Sequence, residues 1–302
     1  MSFEHLGVFR TADLTALGWS RHRIRAAVAE GALRRHAPGL FFIPLESPTD
    51  GQRWLQRAAL RTRELGGGAV LARSAAAALH GLDGFDRRGS LIECNTSVRT
   101  GGRLAAEGVR RATPLDPPAM IDGLPVTGIG QTLVELGSTA TPSPLPPADR
   151  VELALEAALH RRLVTVTDLA DVLAAAGRRR GAATLGTVLR RRPDGAPPTE
   201  SYLETRMVQL LRDHGLPTPR RQVELRDGDG FIGRVDLLIG RVVIEVDGQA
   251  SHDGTAAFHR DRLRWSRLQA AGYRPLVFTH DQIERTPAVV AAIVGDTLAI
   301  AA

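Results

Sequence analysis

The chain of 302 residues contains no lysine, one cysteine, two tyrosines and three tryptophans. With Cys94 alone, an intramolecular disulfide is excluded and a cysteine-based zinc centre has no ligand set to draw on. No apolar run approaches the roughly 20 residues that cross a bilayer. The N-terminus lacks a basic-then-apolar leader pattern, so the expected location is the cytoplasm and no membrane partner is expected. In the absence of lysine, all 39 basic residues are arginine, a bias in keeping with a GC-rich genome. What is present is a 43% hydrophobic chain long enough for two or more cored domains. Its formal charge of +6 suits an anionic partner such as nucleic acid.

Chemistry concentrates between Arg234 and His252. Two runs of branched apolar residues, 234–239 and 242–246, are separated by Gly240 and Arg241, the pattern of a β-hairpin. Asp236 lies inside the first run, and Glu245 and Asp247 close the second. Ionised carboxylates among buried strands are costly unless compensated, and three together repel one another. A divalent cation is the simplest compensation. Glu245 and Asp247 are two apart and leave the strand on one face, and hairpin pairing can bring Asp236 beside them. Oxygen-only ligands at this spacing favour Mg²⁺ or Mn²⁺ over zinc.

The N-terminal segment reads as helix, turn, helix, then hairpin. Thr11 is expected to cap a short helix ending at Gly18, and Ser20 a second from Arg21 to Glu30 that Gly31 stops. Residues 33–36 and 40–43, joined through Pro38 and Gly39, form the expected wing. The second helix turns Ile24 and Val28 inward and exposes Arg21, His22, Arg23 and Arg25. Such a helix either enters a DNA major groove or presents a solvated basic face. The order G-W-S-R-H-R-I-R, E-G-x-L-R-R and P-G-L-F in residues 18–42, which includes Arg34 and Arg35, resembles the winged-helix domain of AbiEi-type antitoxins of type IV toxin–antitoxin systems. That resemblance implies a DNA-binding module over residues 1–45, an antitoxin-like middle region over 46–140, and a toxin or other protein partner whose identity stays open.

In the middle region helices are expected at 52–65, 74–80 and 129–138, with strand-like pieces around 91–93 and 124–126. His80 and Cys94 are expected to be structural. The proline-rich stretch 141–149 marks a boundary. A helical connector, 149–192, follows, with helices at 151–161 and at 167–176, the latter capped by Thr167. Six arginines between 177 and 192 flank a short apolar helix at 182–189; they form a solvated face or a phosphate-backbone contact.

In the C-terminal domain, 199–302, Thr199 is expected to cap a helix whose buried stripe is Leu203, Met207, Leu210 and Leu211. Glu200 and Glu204 share a face of it, and Glu200 also suits a helix N-terminus. A hairpin through residues 227–230 leads into the central strands. A helix over 255–271 turns Phe258, Trp265 and Leu268 inward and leaves Arg260, Arg262, Arg264 and Arg267 outside. A strand at 274–278 and a last helix from Pro287 complete an order that implies a mixed sheet covered by helices.

Glu204, V-D-L-L at 235–238, I-E-V-D-G at 244–248, His252, R-D-R-L-R at 260–264 and L-Q-A-A-G-Y-R-P-L at 268–276 together resemble the Vsr-like (very-short-patch-repair) domain of the PD-(D/E)xK nucleases. The resemblance implies a restriction-endonuclease-like fold in which Asp236 and Glu245 bind Mg²⁺ and Glu204 assists. Asp247 then stands where that superfamily has lysine and either ligates a second metal or is bridged to one by water, with His252 or a metal-bound hydroxide as the base. Arg234, Arg260 and Arg264 are candidates for holding the DNA backbone. The expected whole is an α/β (α+β) multi-domain protein. Its leading reading is a metal-dependent DNA endonuclease targeted by the winged helix; the alternative is a non-catalytic, antitoxin-like DNA-binding regulator with a degenerate nuclease fold.

Overall fold

A computed structural model describes residues 6–66, 68–88, 91–98, 102–138, 143, 145–247 and 255–301, the side chains of 255–261 excepted. The fold is mixed α/β in two compact units, Met1–Ala154 with Val164–Thr187 and Leu155–Leu163 with Val188–Ala302.

The first unit opens with the expected winged helix: β1 (Val8–Arg10), α1 (Thr11–Ala16), α2 (Arg21–Ala29), β2 (Arg34–Ala37) and β3 (Leu40–Phe42). The strands form one antiparallel sheet in the order β1-β3-β2. Phe9, Leu14, Ile24, Ala27, Leu33 and Phe41 make its core. Ala27, three residues after Ile24, is the fully buried partner on α2, while the expected Val28 is half-buried. Ser20 caps α2 as expected, its side chain accepting the Arg23 N–H at 3.1 Å. Thr11 is not the cap of α1: it is the first helical residue, and the Asp13 carboxylate accepts the Arg10 N–H at 2.7 Å.

The chain continues through α3 (Asp50–Leu65), β4 (Val70–Leu71), α4 (Arg73–Leu79), β5 (Cys94–Thr96), α5 (Gly102–Ala106), β6 (Val109–Arg111), β7 (Ala119–Ile121), β8 (Leu124–Val126) and α6 (Ile129–Leu136). The strands form a five-stranded mixed sheet in the order β6-β5-β4-β8-β7. The strand expected at 91–93 lies at Cys94–Thr96 instead, displaced so that Cys94 and Asn95 pair with Leu71 and Val70. Val8 and Leu40 of the winged helix share one core with Trp54, Leu71, Cys94 and Val126, so wing and sheet pack as a single body. His80 Nε2 donates to Thr127 O at 2.9 Å, and Cys94 is fully buried, its thiol pushed up to about 12 by burial. Helices α7 (Pro147–His160), α8 (Val166–Ala176) and α9 (Ala182–Arg191) follow. Thr165 caps α8 in place of Thr167, because its hydroxyl and the Asp168 carboxylate exchange the two bonds of a capping box.

The second unit contains α10 (Tyr202–Asp213), β9 (Arg220–Asp227), β10 (Gly230–Ile239), β11 (Val242–Asp247), α11 (Thr255–Ala270), β12 (Arg274–Thr279), α12 (His280–Arg285) and α13 (Pro287–Ala301). The sheet order is β12-β11-β10-β9, antiparallel except for β11 and β12, which α11 joins as a parallel crossover. Gly240, at φ 56, and Arg241 make the expected two-residue hairpin turn. Val242 and Ile244 pack with Leu203, Met207 and Leu211 of α10, while Val243 packs with Leu268 of α11. Alternation along β11 thus puts α10 and α11 on opposite faces of the sheet. The α10 cap is Ser201 and not Thr199; its hydroxyl accepts the Glu204 N–H at 3.1 Å. Leu155–Leu163 belongs to this unit through Glu156, whose Oε1 accepts from Arg221 Nη1 at 2.7 Å and Arg192 Nε at 3.2 Å.

Candidate nucleic-acid interface and carboxylate site

On α2, Arg21, His22, Arg23 and Arg25 are exposed, as are Arg34 and Arg35 on the wing strand β2. The periodicity of α2 requires this: Ile24 and Ala27 claim the core face, and every charged residue of the first turn and a half falls outside it. The Arg23 guanidinium lies 4.3 Å over the Trp19 ring and Arg35 lies 5.7 Å from Phe41. Stacking of this kind holds the side chains without neutralising them. Among the described residues none of Arg21, Arg23, Arg25, Arg34 and Arg35 pairs with a carboxylate. Glu30 is the lone acid between Ser20 and Ala37.

In the second unit the β10–β11 register runs Ile239↔Val242, Leu238↔Val243 and Leu237↔Ile244, and one further step sets Asp236 opposite Glu245. The regular ladder stops there because Asp236 Oδ2 itself accepts the Val246 N–H, at 3.0 Å. The Glu245 carboxyl is raised to about 7, chiefly by burial and then by the Asp236 carboxyl facing it within hydrogen-bond reach, against the pull of Arg264. Arg264 reaches across from α11: its Nη2 donates to Glu245 Oε1 at 2.5 Å and to Arg234 O at 2.7 Å. It lies flat over Gly233, where a Cβ would stand 2.6 Å from Arg264 Nε. Glycine at 233 is therefore a condition of the arginine's placement, and neither spacing nor charge announces it.

Glu204 is buried on the first turn of α10 and neighbours the same pair. Its carboxyl is raised, mainly by burial, with Asp236 adding repulsion and the Glu200 N–H opposing it. Glu204 Oε2 accepts from Glu200 N at 2.9 Å and from Gln222 Nε2 at 2.7 Å. Gln222 lies on β9 at φ 51, a conformation that interrupts the β9–β10 pairing beside Asp236. It was not foreseen as a site residue, since an amide inside a polar strand carries no signal of its own.

Glu204, Asp236 and Glu245 are thus brought together, and Asp247 is not: it lies exposed at the end of β11. Among the described residues no three His, Cys, Asp or Glu side chains stand close enough to hold a metal ion between them. The sequence-expected set of Asp236, Glu245 and Asp247 therefore reduces to a facing pair. Such a pair still fits a hard divalent ion, because Mg²⁺ commonly takes one or two carboxylates and completes its shell with water and phosphate oxygens. Arg234 is held by Glu200 through two bonds, at 2.7 and 2.6 Å, and Arg264 is held by Glu245, so both candidate backbone clamps are occupied. His252 and the Arg260 side chain lie outside the described residues.

Residues 2–44 match the family described as "Transcriptional regulator, AbiEi antitoxin". The chain is also 29% identical over 140 residues to two uncharacterized proteins of Mycobacterium tuberculosis, from strains CDC 1551 / Oshkosh and ATCC 25618 / H37Rv. The match covers 46% of this chain and 51% of each relative, so the chain spans about half the length of the curated relatives it matches. The N-terminal segment is accordingly similar to a DNA-binding regulator domain of the AbiEi antitoxin type, and no helix among the described residues is long and apolar enough to cross a membrane.

Proposed function

We propose that this protein is a DNA-binding regulator in which α2 enters the major groove of duplex DNA and the β2–β3 wing lies on the adjacent backbone. The observation that carries this reading is the exposed arginine set of α2 and β2, free of carboxylate partners among the described residues, within the segment that matches an antitoxin regulator. Arg21 and His22, at the start of α2, would reach base edges, and Arg34 and Arg35, on β2, would neutralise phosphates. The antitoxin description of the matched family extends the reading to a cognate protein partner. The test is fluorescence anisotropy of the whole chain on duplex DNA between roughly 50 and 200 mM salt. Replacing a phosphate-contacting arginine, as in Arg34→Ala, lowers the log–log salt slope by about 1 and weakens binding on every sequence alike. An unchanged slope in a double Arg21→Ala/Arg34→Ala variant would overturn the reading.

A second reading is carried by the facing Asp236–Glu245 pair: metal-dependent hydrolysis of a DNA phosphodiester in the second unit, in line with the resemblance of residues 199–285 to Vsr-like nucleases. Asp236 and Glu245 would hold Mg²⁺ or Mn²⁺, and the ion, when bound, would activate water and offset charge on the scissile phosphate. Arg264, released from Glu245, would keep a guanidinium within reach of that phosphate, in the absence of a lysine at 247. Glu204, held by Gln222 and the Glu200 amide, would fix the orientation of Asp236. Purified protein incubated with plasmid and single-stranded DNA under Mg²⁺, Mn²⁺ or EDTA decides between the readings. Metal-dependent cutting that disappears in Asp236→Ala establishes the nuclease; DNA retention without cutting under every metal condition leaves the regulator alone.

A further inference from the structure

Outside both regions, the first unit contains a cleft of about 340 Å³ whose lining includes Arg73, Arg110, Arg111, Glu135, Arg179 and Arg180. That volume falls in the range of small-ligand sites, roughly 300–1,000 Å³. Five of the lining residues are arginines and one is a carboxylate. The chain converges here from four places. Arg110 and Arg111 end β6, Arg73 opens α4, Glu135 closes α6, and Arg179 and Arg180 precede α9.

The last placement is enforced by backbone contact. A Cβ at Gly181, which sits at φ +93, would stand 1.9 Å from Val134 O, and one at Gly137 would stand 2.8 Å from Gly181 O. Two glycines thus let the end of α6 and the start of α9 touch, and Arg179 is then anchored by donating to Thr113 O at 2.7 Å. Burial grades from floor to mouth: Arg73 is 2% exposed, Arg110 and Arg179 are half-buried, and Arg111 and Arg180 are exposed. Among the described residues, Arg110, Arg111 and Arg180 have no carboxylate partner.

The floor is polar and incompletely bonded. Arg73 sits at φ +50 and donates from Nε to Glu93 Oε1 at 2.8 Å and from Nη1 to Asn95 Oδ1 at 3.0 Å, with Nη2 bonded to Gly108 O. Glu135 Oε1 accepts from Asn95 Nδ2 at 2.6 Å and Gln131 Nε2 at 2.7 Å, while its Oε2 is buried with no hydrogen-bond partner. Arg73 Nη1, which has a second hydrogen, is 4.0 Å from that same Oε2. One oxygen carrying a hydrogen, about 2.8 Å from each, would satisfy both groups at once: it accepts from the guanidinium and donates to the carboxylate. A non-glycine residue at positive φ beside an unsatisfied buried carboxylate is the kind of local cost that persists where a site is built.

We propose that this cleft binds a small hydroxylated phosphate monoester, of the sugar-phosphate or nucleotide class. The phosphate lies among Arg110, Arg111, Arg179 and Arg180 at the mouth, and a hydroxyl bridges Arg73 Nη1 and Glu135 Oε2 at the floor. No bond is made or broken. The four mouth arginines bind the dianion by charge-assisted hydrogen bonds, and the floor pair selects against a bare phosphate.

Isothermal titration of the whole chain with ribose 5-phosphate, adenosine 5′-monophosphate and inorganic phosphate tests the proposal. Saturable binding of at least one of the two esters is expected, with inorganic phosphate at least tenfold weaker; the tighter ester identifies the source. The double variant Arg110→Ala/Arg180→Ala, at two positions that are not fully buried, loses at least tenfold for every probe with its melting temperature unchanged. Glu135→Gln weakens the esters and leaves inorganic phosphate as it was. No saturable binding by either ester, or equal affinity in wild type and the double variant, overturns the proposal. So does loss of duplex-DNA affinity in the double variant without ester binding, which would assign the cleft to a nucleic-acid backbone.

Discussion

On the winged helix, Arg21, Arg23, Arg25, Arg34 and Arg35 stand without a carboxylate partner among the described residues, whereas in the second unit Arg206, Arg221, Arg234, Arg264 and Arg267 are each bound to one. The same residue type does two jobs. Unpaired arginines, two of them steadied by Trp19 and Phe41, project a net positive field that a polyanion can use. Paired arginines tie the elements of that unit together and contribute little field beyond their own neighbourhood. Net charge is therefore a poor guide to where DNA binds. The site-by-site pattern of pairing is the better one.

The difference can be attacked at its strongest point first. Glu156 is 2% exposed and binds Arg221, itself 6% exposed, so Glu156→Ala strands a buried guanidinium and costs about 3–5 kcal/mol. Urea unfolding followed by far-UV circular dichroism reads this out, and a loss below about 1 kcal/mol would mean that the pairing is not structural. Next in size is a pH effect. Because Glu245 is raised to about 7 from an ordinary value of 4.5, the folded chain holds a proton that the unfolded chain has released. Its contribution is complete below about pH 4.5 and is lost as pH rises through about 7, on the order of 1–3 kcal/mol. In EDTA, stability should fall across that window, and Glu245→Gln should flatten the fall. On the winged helix, Ser20→Ala removes the α2 cap and costs roughly 1 kcal/mol, with weaker DNA binding because α2 frays at the end that carries Arg21. The smallest effect is expected for Glu200→Ala. The exposed Arg234–Glu200 pair contributes under about 1 kcal/mol, and freeing Arg234 should raise DNA affinity slightly at low salt.

Long, strongly patterned elements were legible in the sequence. The α2 cap and stop, the Gly240–Arg241 hairpin, the apolar stripe of α10 and the parallel strand at residues 274–278 all appear where periodicity and turn residues put them. The same was true of Asp236 opposite Glu245, because a two-residue hairpin loop fixes register. Among the strands of two or three residues, Leu40–Phe42 and Leu124–Val126 lie where expected, whereas Val70–Leu71 and Val109–Arg111 were not legible, since alternation cannot declare itself over so few positions. Helix α12 was missed for the same reason of length. Three helix caps were placed wrongly, at Thr11, Thr167 and Thr199, where a second capping side chain one to three residues away competes. Within the site, Asp247 follows the same alternation as Glu245 but stands exposed at the end of β11, where burial, which alternation alone does not encode, has run out. Arg264 over Gly233 depends on a helix-to-sheet approach that no local pattern encodes.

Glu156 joins the second unit from a position 65 residues before Arg221, and Thr199 N donates to its Oε2 at 3.3 Å. During synthesis, the segment Leu155–Leu163 leaves the ribosome well before the strands it serves, and the stretch Val164–Thr187, made in between, folds with the first unit. A fragment beginning at Thr199 would thus carry Arg221 into a folded interior without its counter-ion. Residues 193–198, P-D-G-A-P-P, lie between α9 and α10 outside any helix or strand; a protease cut there would leave the two pieces held together by the Glu156 bonds, so the nicked chain should migrate as one particle until it is denatured.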